Sequence, residues 1–221
     1  FYFVPQIGRT VMRQFTLDSI GRVPVMSVRS NPLSNMLNRF VKRTFDFIIS
    51  SIVMILSPLV LIPVGIAIKL SSPGPIFFKQ KRTGFRGKEF WCYKFRTMKV
   101  NKEADTLQAT KEDPRKTKLG DFLRKTSIDE LPQFYNLRKG DMSIVVPRPH
   151  MLKHTKDYSA LIDKYMLRHT IKPGITGWAQ VNGYRGQTDH LWQMEKRVEH
   201  DVWYAENWNL FLDMKIMFLT V

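Results

Sequence analysis

The chain is nearly without cysteine. Cys92 stands alone, so no intrachain disulfide can form, which fits a reducing compartment. It is also poor in acid: 19 Asp and Glu stand against 35 Lys and Arg, giving a formal charge of +16 over 221 residues. Such an imbalance points to anionic partners, and nucleic acid, anionic lipid and phosphorylated small molecules all qualify. Internal repeats and low-complexity tracts are absent. Gly84 to Lys88 lacks the glycine spacing of a P-loop. His150, His154, His169, His190 and His200 show no zinc-site spacing with Cys92. No signal peptide is recognisable, because the long apolar stretch is internal and lacks a small-residue cleavage site. The chain opens at Phe1 without an initiator Met and stops at Val221 while still apolar, so it reads as a fragment of a longer protein. Its 43% hydrophobic content is ordinary for a folded domain and argues against wholesale disorder.

Charge is missing altogether from residues 47–68, an apolar run that Ser57-Pro58 interrupts near its middle. A stretch of this length can cross roughly 30 Å of hydrocarbon. Pro58 cannot donate a backbone hydrogen bond, so it kinks or breaks the helix there. Arg39, Lys42 and Arg43 precede the run, and Lys69, Lys79, Lys81 and Arg82 follow it. Positive charge favours the cytoplasmic side of a membrane, and here both flanks are positive. Two forms satisfy the pattern: a kinked single-pass helix, or a re-entrant one that bends at Ser57-Pro58 and leaves by the same face. In the second, the Ser57 hydroxyl would help satisfy backbone groups freed at the break.

Before the run, residues 1–41 are mixed and punctuated by proline and glycine, with a short strand predicted over Val23–Val28 and a turn over Asn31–Asn35. They read as the end of an upstream domain plus a connector. After it, Ser72-Pro73-Gly74-Pro75 is turn chemistry, and 76–80 and 90–95 predict a β-hairpin around Gly84–Gly87. Residues 101–117 are charged and loop-like, 118–140 predict short helices, and 151–170 carry helical periodicity. Residues 172–187 form a glycine-rich loop able to cradle a nucleotide or sugar, or only a tight multi-turn connection. Leu191, Met194, Val198 and Val202 predict an amphipathic helix over 189–206. Residues 207–221 suit either the lipid interface or a buried core helix.

Asp129-Glu130 is the first candidate for chemistry. Ser127 and Glu130 have capping-box spacing and Pro132 suits a first helical turn, so the pair is expected at a helix N-terminus. Backbone N–H groups there favour anions, which would keep both carboxylates ionised for Mg²⁺ or for attack on phosphorus. Plain capping acids have the same spacing. Arg148 sits between Pro147 and Pro149, which stiffen its loop and suit bidentate phosphate binding, or make a rigid surface turn. The interleaved basic and aromatic residues of 85–96 suit anionic headgroups, and also single-stranded nucleic acid.

Taken in order, these motifs resemble the bacterial sugar transferase family, the monotopic polyprenyl-phosphate phosphoglycosyl transferases. The resemblance runs from about Lys42 to Val221 and rests on Lys42–Asp46, Ser72–Pro75, Tyr93–Met98, Arg124–Gln133, Gly140–Ser143, Pro147–Pro149 and Lys172–Trp178. It implies an α+β fold, mostly helical, with a membrane helix re-entering at Ser57-Pro58, a small β-hairpin and amphipathic interfacial helices. The implied domains are 1–41, the end of a soluble domain and connector; 42–71, the membrane helix-break-helix; and 72–221, the catalytic domain. The resemblance also implies that Asp129 is the nucleophile of an Asp-Glu dyad. It expels the nucleoside monophosphate and holds a covalent phosphosugar that polyprenyl phosphate then attacks. Mg²⁺ sits beside Asp129 and Glu130, while Arg124, Arg148 and Lys94 match phosphate-contacting positions.

Residues 184–198 narrow the resemblance to the large undecaprenyl-phosphate glucose-phosphate transferases of colanic-acid type, which start exopolysaccharide units and carry an upstream membrane region and soluble domain. The expected donor is UDP-glucose or UDP-galactose, the acceptor undecaprenyl phosphate, and the location the cytoplasmic face of the bacterial inner membrane, with membrane lipid as a partner and a homodimer left open. Members of this type commonly have Gly where this chain has Val146, and a left-handed backbone there would strain a valine. Two competing classes are a non-catalytic membrane scaffold and a basic nucleic-acid-binding protein. The second leaves the charge-free run unexplained, and no nucleic acid is expected.

Overall fold

The computed structural model describes residues 15–20, 23–28, 31–101, 110, 113–162, 165–186, 188 and 190–220. The predicted strand over Val23–Val28 is β2, paired antiparallel with β1 (Phe15–Ile20). Most of the loop expected over 101–117 lies outside the described residues.

Asn31 and Asn35 start the helical part. Asn31 Oδ1 accepts from the Leu33 N–H and Asn35 Oδ1 from the Leu37 N–H, both at 2.8 Å, which satisfies donors that a helix start leaves open. The helix α1 (Met36–Leu56) follows, then α2 (Pro58–Ser71), bent from it by 58°. Pro58 supplies the break and suits the first position of α2. The Ser57 hydroxyl donates to the Met54 carbonyl at 3.0 Å, the help expected of it. Among the described residues no single helix is long and apolar enough to cross a membrane, but this bent pair passes the same test together.

One reading of the flanking charges needs correction. Lys42 is not a surface cation. It is buried, and its Nζ lies 2.6 Å from Asp213 Oδ2 and 3.4 Å from Asp46 Oδ1. Asp46 also accepts from the Ser143 hydroxyl at 2.6 Å and the Ile144 N–H at 3.1 Å. Arg43 donates to the carbonyls of Leu137 and Arg138, at the end of a later helix. These cations bind α1 to the body of the protein rather than to a lipid surface.

The hairpin is β3 (Phe77–Thr83) with β4 (Glu89–Phe95), in the register Phe77↔Phe95 to Thr83↔Glu89. Two of its lysines, Lys79 and Lys81, sit 5.3 and 5.6 Å from the Trp91 ring, so part of the basic–aromatic pattern is spent within the hairpin. Arg96 Nη2 donates to the Ser72 carbonyl at 2.7 Å, and Nη1 to that of Pro73, tying the hairpin to the turn after α2. Gly74 is required in that turn: its φ is +126°, and a Cβ would lie 2.5 Å from Arg96 Nη1. Buried Ile68, Phe95 and Leu123 form a small core where α2, the hairpin and α3 (Lys118–Lys125) meet.

The larger core gathers Leu137 of α4 (Gln133–Lys139), Val145 of β5 (Ser143–Val145), Tyr204 of α7 (Leu191–Asn207) and Ile216 of α8 (Leu210–Thr220). The predicted amphipathic helix is α7, with Met194 and Val198 buried, though Leu191 is exposed. Helix α8 has the buried face expected of a core helix, Leu212 and Ile216, while Phe211, Met214 and Phe218 are exposed. Residues 151–170 divide into α5 (Leu152–Leu161) and a 3-10 turn, Tyr165–Thr170.

The loop expected over 172–187 is more ordered than its glycines suggest. Gly174–Thr176 is β6, parallel to β5, and Trp178–Val181 forms a short helix, α6. A Cβ at Gly174 would lie 2.5 Å from Val146 Cγ2, and one at Gly177 2.7 Å from the Val146 carbonyl oxygen, so close strand packing selects these glycines. The same contact settles the strain expected at Val146. Its φ is not positive, its N–H donates to the Thr176 carbonyl at 2.8 Å, and its side chain is buried.

Candidate active site

Asp129 and Glu130 lie in a 3-10 turn, Ile128–Glu130, between α3 and α4. The expected capping box does not form. Ser127 is left-handed (φ 58°), which carries its hydroxyl away from the turn, and Ser127 Oγ instead accepts from Arg185 Nη2 at 2.8 Å. The acids do lie in the first turn of this short helix, as expected, but without the capping bonds, and neighbouring cations and burial set their charge.

The two carboxylates have opposite environments. Glu130 Oε1 accepts from Lys94 Nζ at 2.7 Å, and Arg148 grips Glu130 through both Nη atoms, with Nη1 3.2 Å from Oε2. Burial alone would raise the Glu130 carboxyl, but Arg148 and Lys94 outweigh it and hold it well below the usual carboxylate range. Asp129 is equally buried but receives no hydrogen bond from a described residue. Burial pushes its carboxyl up, Lys94 pulls it down, and the negative charge of Glu130 adds to the rise. One acid is thus neutralised by fixed cations and the other is left free. Such a divided pair is a common basis for distinct chemical roles.

Arg124 is set by α3. Its Nε donates to Thr97 Oγ1 at 2.8 Å, and α3 can approach Thr97 only because residue 120 is glycine: a Cβ there would lie 1.9 Å from the Thr97 carbonyl oxygen. Gly120→Ala is therefore expected to displace α3 and Arg124, lowering turnover by about 10²-fold, since small misplacements of positioning groups cost that much. Product-release assays on the two proteins check it, and unchanged turnover would remove Gly120 from the positioning of Arg124.

Arg148 is held from behind by a layer that sequence reasoning missed. Arg168 Nη2 donates to the Arg148 carbonyl at 2.8 Å and lies 2.8 Å from Asp201 Oδ2, with both charges buried. The same guanidinium contacts His150, whose Nδ1 is 2.6 Å from the Tyr165 hydroxyl. Arg168 and Asp201 are 33 positions apart, and no local pattern in the sequence pairs them.

All five predicted side chains, Asp129, Glu130, Lys94, Arg124 and Arg148, line one cleft of about 560 Å³. Tyr184, Arg185, Gly186 and Arg197 extend its wall, so part of the glycine-rich segment does face the site. Ser57 and Pro58 lie at the helix break and line none of it. Mg²⁺ needs one or two carboxylates and completes its shell from substrate phosphate and water. Asp129 offers both oxygens. Glu130, a carboxylate with about four acceptor positions, has three met by Lys94 and Arg148. The donor set fits the ion, with Asp129 as the more available ligand.

Buried acids beside guanidinium and ammonium groups in one cleft are groups that suit a phosphorylated substrate. The comparisons agree. Residues 37–221 match the family described as Bacterial sugar transferase, and the chain belongs to that family. The UDP-glucose:undecaprenyl-phosphate glucose-1-phosphate transferase of Escherichia coli (strain K12) is 52% identical over 219 residues, covering 99% of this chain and 47% of that protein. The UDP-N-acetylgalactosamine-undecaprenyl-phosphate N-acetylgalactosaminephosphotransferase of Aeromonas hydrophila is 38% identical over 222 residues, covering 100% of this chain and 51% of that protein. The exopolysaccharide production protein PSS of Rhizobium leguminosarum bv. phaseoli is 41% identical over 186 residues, covering 81% of this chain and 92% of that protein. The chain thus spans about half the length of the first two relatives and most of a match to the third.

Proposed function

We propose that the protein transfers a hexose 1-phosphate from a UDP-sugar, UDP-glucose or UDP-galactose, to undecaprenyl phosphate and releases UMP, as the first membrane step of exopolysaccharide, O-antigen or capsule synthesis. The observation that carries this reading is the unpaired, buried Asp129 next to a Glu130 already matched by Lys94 and Arg148. Relatives named for UDP-glucose, at 52% and 48% identity, favour glucose.

In this mechanism an Asp129 oxygen attacks the sugar-bearing phosphorus. The bond from that phosphorus to the bridging oxygen breaks, UMP leaves, and an aspartyl phosphosugar remains. A phosphate oxygen of undecaprenyl phosphate then attacks the same phosphorus, frees Asp129 and gives the lipid diphosphosugar. Splitting the transfer this way replaces one difficult displacement by two easier ones. Arg124, Arg148 and Lys94 neutralise charge on the diphosphate. Asp129 and Glu130 would hold Mg²⁺, which would supply further neutralisation of the donor phosphates.

The bent, charge-poor pair supports a re-entrant anchor. Helices α1 and α2 enter the cytoplasmic face of the bacterial inner membrane, turn at Ser57-Pro58 and return, which leaves Arg39 and Lys69 on one side. Residues 1–41 connect to an upstream domain, 42–71 anchor the chain, and 72–221 are catalytic. The test is UMP release from a panel of UDP-sugars with Mg²⁺ and undecaprenyl phosphate. Release is expected with UDP-glucose or UDP-galactose, and no release with any UDP-sugar would overturn the assignment.

A further inference from the structure

A second cleft, of about 680 Å³, shares no lining residue with the cleft of the dyad. Helix α7 is divided between them: Arg197 and Asp201 face the first, Val202 and Ala205 the second. The reaction proposed above makes no use of this space.

Its lining is cationic and incompletely paired. Arg39, Arg86 and Lys172 line it, and none forms an ion pair or side-chain hydrogen bond with a described residue. Lys172 is half-buried, and burial together with the nearby charge of Arg43 pushes its ammonium down despite the pull of Asp46 and Asp141, neither of which contacts it. The acids facing the cleft do not supply one. Asp46 is taken by Lys42 and Ser143, and Glu206 has an interaction of its own.

An independent observation points to the same place. His169 is only 7% exposed, and its Nδ1 has no hydrogen-bond partner. Burial and the charge of Arg168 push this imidazole down to about 4, so it is neutral near pH 7 and presents an unmet polar atom. Buried polar atoms are rarely left so, and an unmet one calls for a partner. Leu33, Met166, Ile171 and Val202 make the rest of the wall apolar.

We propose that this second cleft binds a phosphate-type anion, with Lys172 and Arg39 as charged contacts and the His169 ring as a hydrogen-bonding group. The apolar wall suits such an anion when it is the headgroup of a lipid. Position agrees: Arg43 lines the cleft, and Phe47, where the charge-free run begins, is one helical turn further along α1, about 6 Å. The lipid as source rests on the membrane anchor proposed above; anion binding by the cleft does not.

The test titrates the 221-residue chain, in neutral detergent, with dioctanoyl phosphatidylglycerol, with dioctanoyl phosphatidylcholine and with inorganic phosphate, read by calorimetry. A saturable anion site is expected that is weakened at least ten-fold by Lys172→Gln and by Arg39→Gln and persists in Arg148→Gln. Phosphatidylglycerol binding at least ten-fold tighter than phosphate assigns the anion to a lipid headgroup, and equal affinity assigns it to a free phosphate. Absence of saturable anion binding, full affinity in both the Lys172 and Arg39 variants, or loss of binding in Arg148→Gln would each overturn the proposal. Because the readout is binding, it stands or falls separately from UMP release.

Discussion

Asp129→Asn is expected to lower turnover by at least ~10³-fold, because an amide cannot form the covalent phosphosugar and the displaced step has no second nucleophile. The same variant should fold at least as well as the parent. Asp129 receives no hydrogen bond from a described residue, so none is lost, and burial and Glu130 outweigh the pull of Lys94, Arg124 and Arg148 on its charge, so a buried amide costs less than the carboxylate. Activity and thermal melting measured side by side would thus move in different directions, the mark of a group strained for chemistry. The pH profile adds a sign. Attack requires the ionised form, and burial raises the Asp129 carboxyl above its ordinary 3.8, so kcat/KM should fall on acidification earlier than an ordinary carboxylate would predict. Glu130 is held in the opposite direction and stays ionised through that window. Full turnover by the Asn variant would remove Asp129 from the nucleophile's place.

Asp213→Ala should give the largest loss of stability. Asp213 is fully buried and receives hydrogen bonds from Lys42 and the Tyr204 hydroxyl, both at 2.6 Å, and from Trp208 Nε1 at 3.2 Å. Deleting it leaves a buried ammonium with only the longer contact to Asp46. Breaking a buried pair from one side costs about 3–5 kcal/mol, which for a domain of this size lowers Tm by roughly 10 °C. Pairing Asp213→Leu with Lys42→Met should recover only part of that loss, because the ammonium is gone but Asp46 then stays buried with only the neutral donors of Ser143 and Ile144. A Tm within about a degree of the parent for Asp213→Ala would show that the network does not hold α1 to the core.

What the sequence revealed was local. The hairpin followed from the aromatic-rich runs on either side of Gly84–Gly87, and the bend from Ser57-Pro58, since a missing N–H acts at its own position. The ordered motifs picked out Asp129, Glu130, Lys94, Arg124 and Arg148, and the fold brings them to one cleft. What stayed hidden was non-local. Lys42 looked like a membrane flank because its partner, Asp213, is 171 residues away. Ser127 looked like a cap because spacing cannot register a left-handed backbone. Gly174 and Gly177 looked like loop residues because the constraint on them is the Val146 strand, visible only once β5 and β6 lie side by side.

The grip on α1 also fixes a direction. Asp46 is pinned to Ser143 and Ile144, and the break at Ser57 lies eleven positions on, so the two are linked by a rigid rod of about 16 Å. A rod clamped at one end cannot spin. Adding one residue between Asp46 and Ser57 would turn the elbow by about 100° and aim α2 away from the hairpin that Arg96 fastens beneath it. The count of residues from clamp to elbow therefore works as a compass bearing, setting which way the apolar arm points from the acids it serves.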